Sequence, residues 1–399
     1  MILKIFLVSL GLTLSTFLFK KAAGSLSIRK LNLISYTYYL FVLQTYIGTS
    51  LVFLGDRNHY TINYLINEKS INTTFMFVLL TAIMLPLVIV MLHKLLRVDM
   101  DEVYATYLAE NTIVENEKTV FYIVLGISCL SIILMLLLFK KIGYVPLMKL
   151  IFPDSTFNFK TERIKVSSVS LINQYVKNIL VLSFIPIMSY IAFAHAYVTK
   201  NMRWRILFIV LFICSLFTKT YNFAKTPVIF YMFAFVIIFI FLNNGIKRKF
   251  MLLIVSGLSG VILLMYKVTG YVFEFSIYNG PISRIIFTQA GTLMYHFDLF
   301  PTSVPFLMGR SLSGTVIGIL GLGVEPVRSA KVVMSFYGSR SVYDGIAGVM
   351  NTFFIGESYA NFGNIGVILS IIYIGLLFGL IYYIFTKKMQ KNVLNVVLF

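Results

Sequence analysis

Residues 353–385 read FFIGESYANFGNIGVILSIIYIGLLFGLIYYIF, with Thr386-Lys387-Lys388 immediately after. The run 364–385 carries no charge and is long enough for a helix to cross a hydrocarbon core, which takes about 20 apolar residues. The residues before it are different: Gly356, Glu357, Ser358, Tyr359, Asn361 and Gly363 put a carboxylate, hydroxyls, an amide and glycines at the mouth of that span. The string closes the long polar segment 269–363, and such a segment before a last apolar span predicts a helical membrane protein that does its chemistry or recognition at one face of the bilayer.

Working outward, apolar runs of comparable length recur near 3–19, 31–55, 73–92, 120–139, 178–198, 206–218, 226–243 and 250–268, the sixth being short. Composition agrees. Apolar residues make up 59% of the chain, charged residues 12%, and the mean hydropathy is +0.88, far from soluble domains at roughly 45–50% and 25%. The expected fold is an all-α polytopic membrane protein of about 9–11 transmembrane helices, forming a single integral-membrane domain over 1–399. Lys20-Lys21 occupies the place of a small-residue cleavage site, so 3–19 is read as a span and not as a signal peptide. Cys129 and Cys214 fall inside spans at no metal or CxxC spacing and are expected to be small buried apolar residues.

The formal net charge of +19 does not form a basic soluble domain. The cations sit in short loops between spans, which writes topology and excludes nucleic acid as a partner. With nine spans, Lys20, Lys21, Arg29 and Lys30, then Lys200, Arg203 and Arg205, then Lys247-Arg248-Lys249, then Lys387, Lys388 and Lys391 all fall on one side, which is therefore cytoplasmic. The long polar segment 269–363 then faces out. Within it, the apolar patches 299–308 and 315–324 are too short to span and read as re-entrant or interfacial segments. A smaller outward loop, 140–177, breaks the rule, since Lys140, Lys141, Lys149, Lys160, Arg163, Lys165 and Lys177 face only Asp154 and Glu162. An anionic ligand is the simplest work for those cations.

The outward segments supply the candidate chemistry. Arg284, Arg310, Arg328, Arg340, Lys225 and Arg163 are suited to phosphate or pyrophosphate, arginine through bidentate contacts. Glu357, His296 and Asp344, with Asp298 beside them, are suited to accepting a proton. Tyr295 and Tyr359, with Tyr278, Tyr337 and Tyr343, are suited to packing on sugar rings. Each has a plainer explanation: an arginine meeting lipid headgroups, a packed histidine, or Glu357 complementing the N-terminus of the last helix. No HExxH, CxxC, Walker or GxGxxG pattern occurs, so neither a metal nor a nucleotide-sugar site is expected.

The string Phe354-Ile355-Gly356-Glu357-Ser358-Tyr359-Ala360-Asn361-Phe362-Gly363-Asn364-Ile365-Gly366, followed by a final apolar span, resembles the signature near the end of bacterial O-antigen and related oligosaccharide repeat-unit polymerases. Gly143-Tyr144-Val145-Pro146-Leu147 is similar to that family's Gly-x-x-Pro-Leu turn. Lys225-Thr226-Pro227, and Arg284 through Tyr295 to Phe300-Pro301, match where that family opens a span and its large periplasmic loop. The resemblance covers most of 140–385. It implies a GT-C-like, lipid-dependent glycosyltransferase of the bacterial inner membrane, active at the periplasmic face. Donor and acceptor would both be oligosaccharides on undecaprenyl pyrophosphate, and no cofactor would be needed. Membrane lipids, a chain-length regulator and a flippase of the same pathway would be its partners. An O-antigen ligase and a flippase or transporter of lipid-linked oligosaccharides are the alternative readings; transporters commonly show related halves, and no internal symmetry is visible here.

Overall fold

A computed structural model describes residues 1–152, 157–268, 276–319, 321, 323–345 and 347–399. The start of the expected outer loop, 269–275, and Asp154 of the basic loop lie outside the described residues. In chain order the helices are α1 (Ile2–Ala23), α2 (Leu33–Phe41), α3 (Ile47–Phe53), α4 (Lys69–Leu95), α5 (Met100–Ala109) and α6 (Glu117–Ile142). There follow α7 (Pro146–Ile151), α8 (Phe159–Ser168), α9 (Gln174–Val176), α10 (Phe184–Thr199), α11 (Met202–Lys219), α12 (Thr226–Leu242) and α13 (Arg248–Val268). The last are α14 (Gly280–Ser283), α15 (Gln289–Leu299), α16 (Gly314–Ile319), α17 (Ser329–Tyr337), α18 (Ser339–Tyr343), α19 (Phe354–Tyr383) and α20 (Val393–Leu398). No strand forms among the described residues.

This is a helical membrane protein. Each expected span coincides with helix, and five helical runs are long and apolar enough to cross a membrane: Ile2–Lys30, Lys69–Leu95, Glu117–Ile142, Gln174–Thr199 and Phe354–Lys388. Three of the other expected spans fall short of that measure for local reasons. The run 33–53 is interspersed with Ser, Thr, Tyr and Gln side chains, α11 carries Arg203, Arg205 and Lys219 within its 18 residues, and α12 has 17 residues. One expectation about the cysteines is corrected: Cys129 is exposed on the surface of α6, and Cys214 is half-buried. A surface position on a helix that meets lipid has no need to be interior to be apolar.

The chain sorts into two compact units, Met1–Leu26 with Asn32–Glu102 and Glu274–Tyr383, and Ser27–Leu31 with Val103–Phe273 and Ile384–Phe399. Each is assembled from separated stretches, which is why no linker marks a boundary in the sequence. In the first unit α4 packs against α1, α15 and α19. The approach of α19 to α4 is close because it runs over glycines. A Cβ on Gly375 would stand 2.8 Å from Val88 Cγ1, and one on Gly379 would stand 2.8 Å from Leu92 Cδ2. Small residues at such crossings let helices gain dispersion contact where no hydrophobic force separates lipid from protein.

The core of the second unit includes α6, α10 and α11. Trp204 is fully buried there, stacked on His195 at 4.2 Å and edge-on to Phe121, with its indole N–H donating to Glu117 Oε1 at 3.1 Å. The Gly-x-x-Pro-Leu stretch ends one helix and starts the next. Gly143 caps α6 in the left-handed region at φ 90° and Pro146 opens α7, using glycine after a helix and proline at the first helical position.

Candidate functional site

The signature string forms a broken helix. Within α19 the backbone departs from helical geometry at Gly363, φ 61° and ψ −147°, a region open essentially to glycine alone. The break leaves the carbonyls at the end of the short segment 354–362 without helical donors. A strap from the preceding loop supplies them: Leu307 N–H donates to Ala360 O at 2.9 Å and Met308 N–H to Asn361 O at 3.0 Å. Asn361, 4% exposed, locks the strap with its side chain. Its Oδ1 accepts from Gly309 N–H at 3.1 Å and its Nδ2 donates to Glu357 O at 2.8 Å and to Ser311 Oγ. The apolar patch 299–308 therefore ends as a non-helical strap over the break.

One turn before Asn361, half-buried Glu357 leaves the helix toward α17. Ser329, at the first turn of α17 and fully buried, donates its hydroxyl to Glu357 Oε2. Ser329 Oγ also lies 3.2 Å from His296 Nε2, and His296 Nδ1 donates to Thr292 O at 2.8 Å. Two of the three acid–base candidates are thus joined through a serine that no sequence feature singled out. His296 is 0% exposed. Burial pushes its imidazole down to about 4, against weaker opposing effects of the Thr292 carbonyl and of Glu357, so it is neutral near pH 7.

A rigid polar frame surrounds this chain. Asp298, 2% exposed, accepts from Ile66 N–H, Asn67 N–H and the Tyr337 hydroxyl at 2.7–2.9 Å, and so is committed to structure. Tyr295 stacks on Tyr337 at 3.9 Å and donates to Thr61 O at 2.6 Å; burial raises both phenols. His59, also buried, bonds Thr61 Oγ1 and Ser283 Oγ. Tyr359 is buried against Phe297 at 4.2 Å, with Phe306 edge-on. Tyr295 and Tyr359 pack on protein rings, and Tyr343 is 92% exposed.

The cations gather only in part. Arg310 is in the strap; its Nε donates to Glu325 O at 3.3 Å and its carbonyl accepts from Val327 N–H at 2.7 Å. That pairing brings the strap beside Arg328, which immediately precedes Ser329. Arg284, Arg328 and Arg340 are exposed, and none has an ion-pair partner among the described residues. Arg340 and Asp344 sit on and just after α18, with no side-chain bond to Glu357 among the described residues. Lys225 and Arg163 belong to the other unit. There, part of the basic loop's charge serves its own fold. Lys141 donates to Ser170 O, buried Lys177 donates to Ser167 O and Val169 O, and Lys165 pairs with Glu162 at 3.4 Å.

Sequence reasoning missed Ser329 and His59, and placed Asn361 only within the string 353–363, with no role of its own. Asn361 had a signal, since it lies four residues after Glu357 on the same helical face. Ser329 had none, because its partners are remote in the chain. The second unit holds a cavity of about 150 Å³ lined by Glu115, Asn116, Val120, His195, Asn392, Val393 and Leu394. No group of three or more His, Cys, Asp or Glu side chains with metal-binding spacing occurs among the described residues.

Family models, curated proteins and solved structures return no match for this chain.

Proposed function

We propose that this protein is a lipid-dependent glycosyltransferase that joins oligosaccharide repeat units carried on undecaprenyl pyrophosphate at the periplasmic face of a bacterial inner membrane. The observation that carries the reading is the broken helix of the signature string, which holds the half-buried Glu357 beside a strap and helix start bearing Arg310 and Arg328. Glu357 takes the proton of the acceptor hydroxyl as its oxygen bonds to the anomeric carbon, and the bond from that carbon to the pyrophosphate oxygen breaks. Charge then grows on the leaving undecaprenyl pyrophosphate. Preorganised cations stabilise such charge most where they are not already neutralised, which favours Arg284, Arg310, Arg328 and Arg340 over cations held in ion pairs. The glycosyl-pyrophosphate bond supplies the driving force.

The test is the surface polysaccharide of cells lacking this gene, complemented with wild type, Glu357→Ala or Arg284→Ala and resolved on a gel. The expected deletion phenotype is lipid A-core bearing a single repeat unit. Glu357→Ala is expected to reproduce it, and Arg284→Ala to shorten or abolish the ladder. A core bearing no repeat unit overturns the polymerase reading and turns attention to ligation of the unit or its flipping across the membrane.

A further inference from the structure

The protons of the Glu357–Ser329–His296 chain do not balance while Glu357 is ionised. His296 Nδ1 is committed as a donor to Thr292 O, which leaves Nε2 of the neutral ring as an acceptor. Ser329 has one hydroxyl proton and two acceptors facing it, the Glu357 carboxylate and His296 Nε2. With the carboxylate ionised, that proton goes to Glu357, and Nε2 faces a lone pair at 3.2 Å. A buried acceptor left in this state has lost its hydration without a donor to replace it.

We infer that Ser329 and His296 form a hydroxyl–imidazole relay whose hydrogen bonds are complete only when Glu357 carries a proton. When Glu357 takes a proton, its O–H donates to Ser329 Oγ, the Ser329 hydroxyl turns to His296 Nε2, and Nδ1–H stays on Thr292 O. Every donor then has an acceptor, and no imidazolium forms. Burial of the imidazole, which holds it well below its usual range, fits a ring that accepts a hydrogen bond instead of a proton. Ser329 and His296 are positioning residues: they receive the hydrogen bond of a protonated Glu357 and pass it on to the Thr292 carbonyl.

The surroundings leave the relay in charge of this proton. Against the head of α19 are packed α2, α4, α15 and α17. Helix α2 has no charged residue, only Tyr36, Tyr38 and Tyr39 as titratable groups. Helix α4 carries Lys69, His93 and Lys94, and α17 carries exposed Lys331 and Tyr337, the latter bonded to Asp298. On α15, Asp298 and Tyr295 are committed elsewhere. Among the described residues none of these bonds to Glu357; the cations that flank the relay in the chain are Arg328, which precedes Ser329, and Arg310 in the strap seated on Ala360 and Asn361.

The relay serves the base of the proposed reaction and so rests on that reading, but its test does not need activity. The carboxyl band of Glu357 is titrated by infrared difference spectroscopy on the purified full chain in lipid nanodiscs, with Glu357→Gln assigning the band. His296→Phe, which removes the acceptor of the turned hydroxyl while leaving Ser329 on the carboxylate, is expected to lower the titration midpoint by about one to two pH units, the equivalent of about 1–3 kcal/mol at 1.36 kcal/mol per unit. Ser329→Ala, which also removes the donor to the ionised carboxylate, is expected to change it less than His296→Phe does, and Ser329→Thr, which keeps the hydroxyl, to hold the wild-type value. An unchanged midpoint in His296→Phe, with the fold intact by circular dichroism, overturns the relay. A shifted midpoint in a protein whose deletion leaves the polysaccharide ladder unaltered supports the relay and overturns the polymerase.

Discussion

His296 and His195 are equally buried, at 0% and 1% exposure, and their surroundings are opposite. His296, in the first unit, has both ring nitrogens engaged, one on a backbone carbonyl and one facing a serine that leads to a carboxylate. His195, in the second unit, lies flat on Trp204 at the wall of the 150 Å³ cavity, and neither nitrogen has a protein partner among the described residues. Burial alone therefore does not mark a site. What distinguishes the head of α19 is that three separate stretches of chain, 292–296, 329 and 357–361, are brought together to satisfy one another's polar atoms, which desolvation makes obligatory.

The largest expected effect attacks the first of these regions. Glu357→Gln keeps the shape and removes the proposed base, and on the proposed reading polymer synthesis in membranes should fall by about 10²–10⁴-fold, the usual contribution of a positioned base. Gly363→Ala strikes the geometry beneath it. The required backbone region excludes other residues, and an added Cβ would stand 3.0 Å from Phe306 Cζ. A loss of about 1–3 kcal/mol is expected in thermal unfolding in detergent, together with polymer synthesis, because the strap loses its seat.

The second region should respond with the opposite sign. His195→Phe keeps the stacked ring on Trp204 and removes two buried polar atoms, so unfolding stability should rise by about 1–3 kcal/mol. A fall instead would show that solvent or a ligand in the cavity satisfies the imidazole, and the contrast between the two histidines would narrow.

A pH scan tests the burial of His296 directly. His296 binds its proton only near pH 4 when folded but near its ordinary 6.5 when unfolded. Between these values the unfolded chain binds more protons, so the stability due to neutral His296 is full above 6.5 and lost as the pH falls toward 4. His296→Phe should flatten that part of the profile; what remains of the slope is expected to include His59, which burial also pushes down. The smallest effect is on stability from Arg328→Ala. An exposed arginine without an ion pair should change unfolding by no more than about 0.5 kcal/mol while reducing polymer synthesis, and a larger destabilisation would make its role structural.

The sequence by itself determined the class and the places where helices run. Apolar runs of spanning length leave few alternatives in a bilayer, because a helix satisfies every backbone polar group from within its own segment. It also pointed to the string 353–366, since glycines, a carboxylate and an amide have no reason to sit at the mouth of an apolar span unless something local requires them. Only the tertiary structure decided that Gly363 breaks the helix, that Asn361 clasps the strap 307–311 across the break, that Asp298 and Tyr295 serve the frame, and that Glu357 reaches His296 through Ser329. Those contacts join residues 28 to 234 positions apart. Helical periodicity is a local signal, and it carries no information about which distant polar atoms must meet once water is excluded.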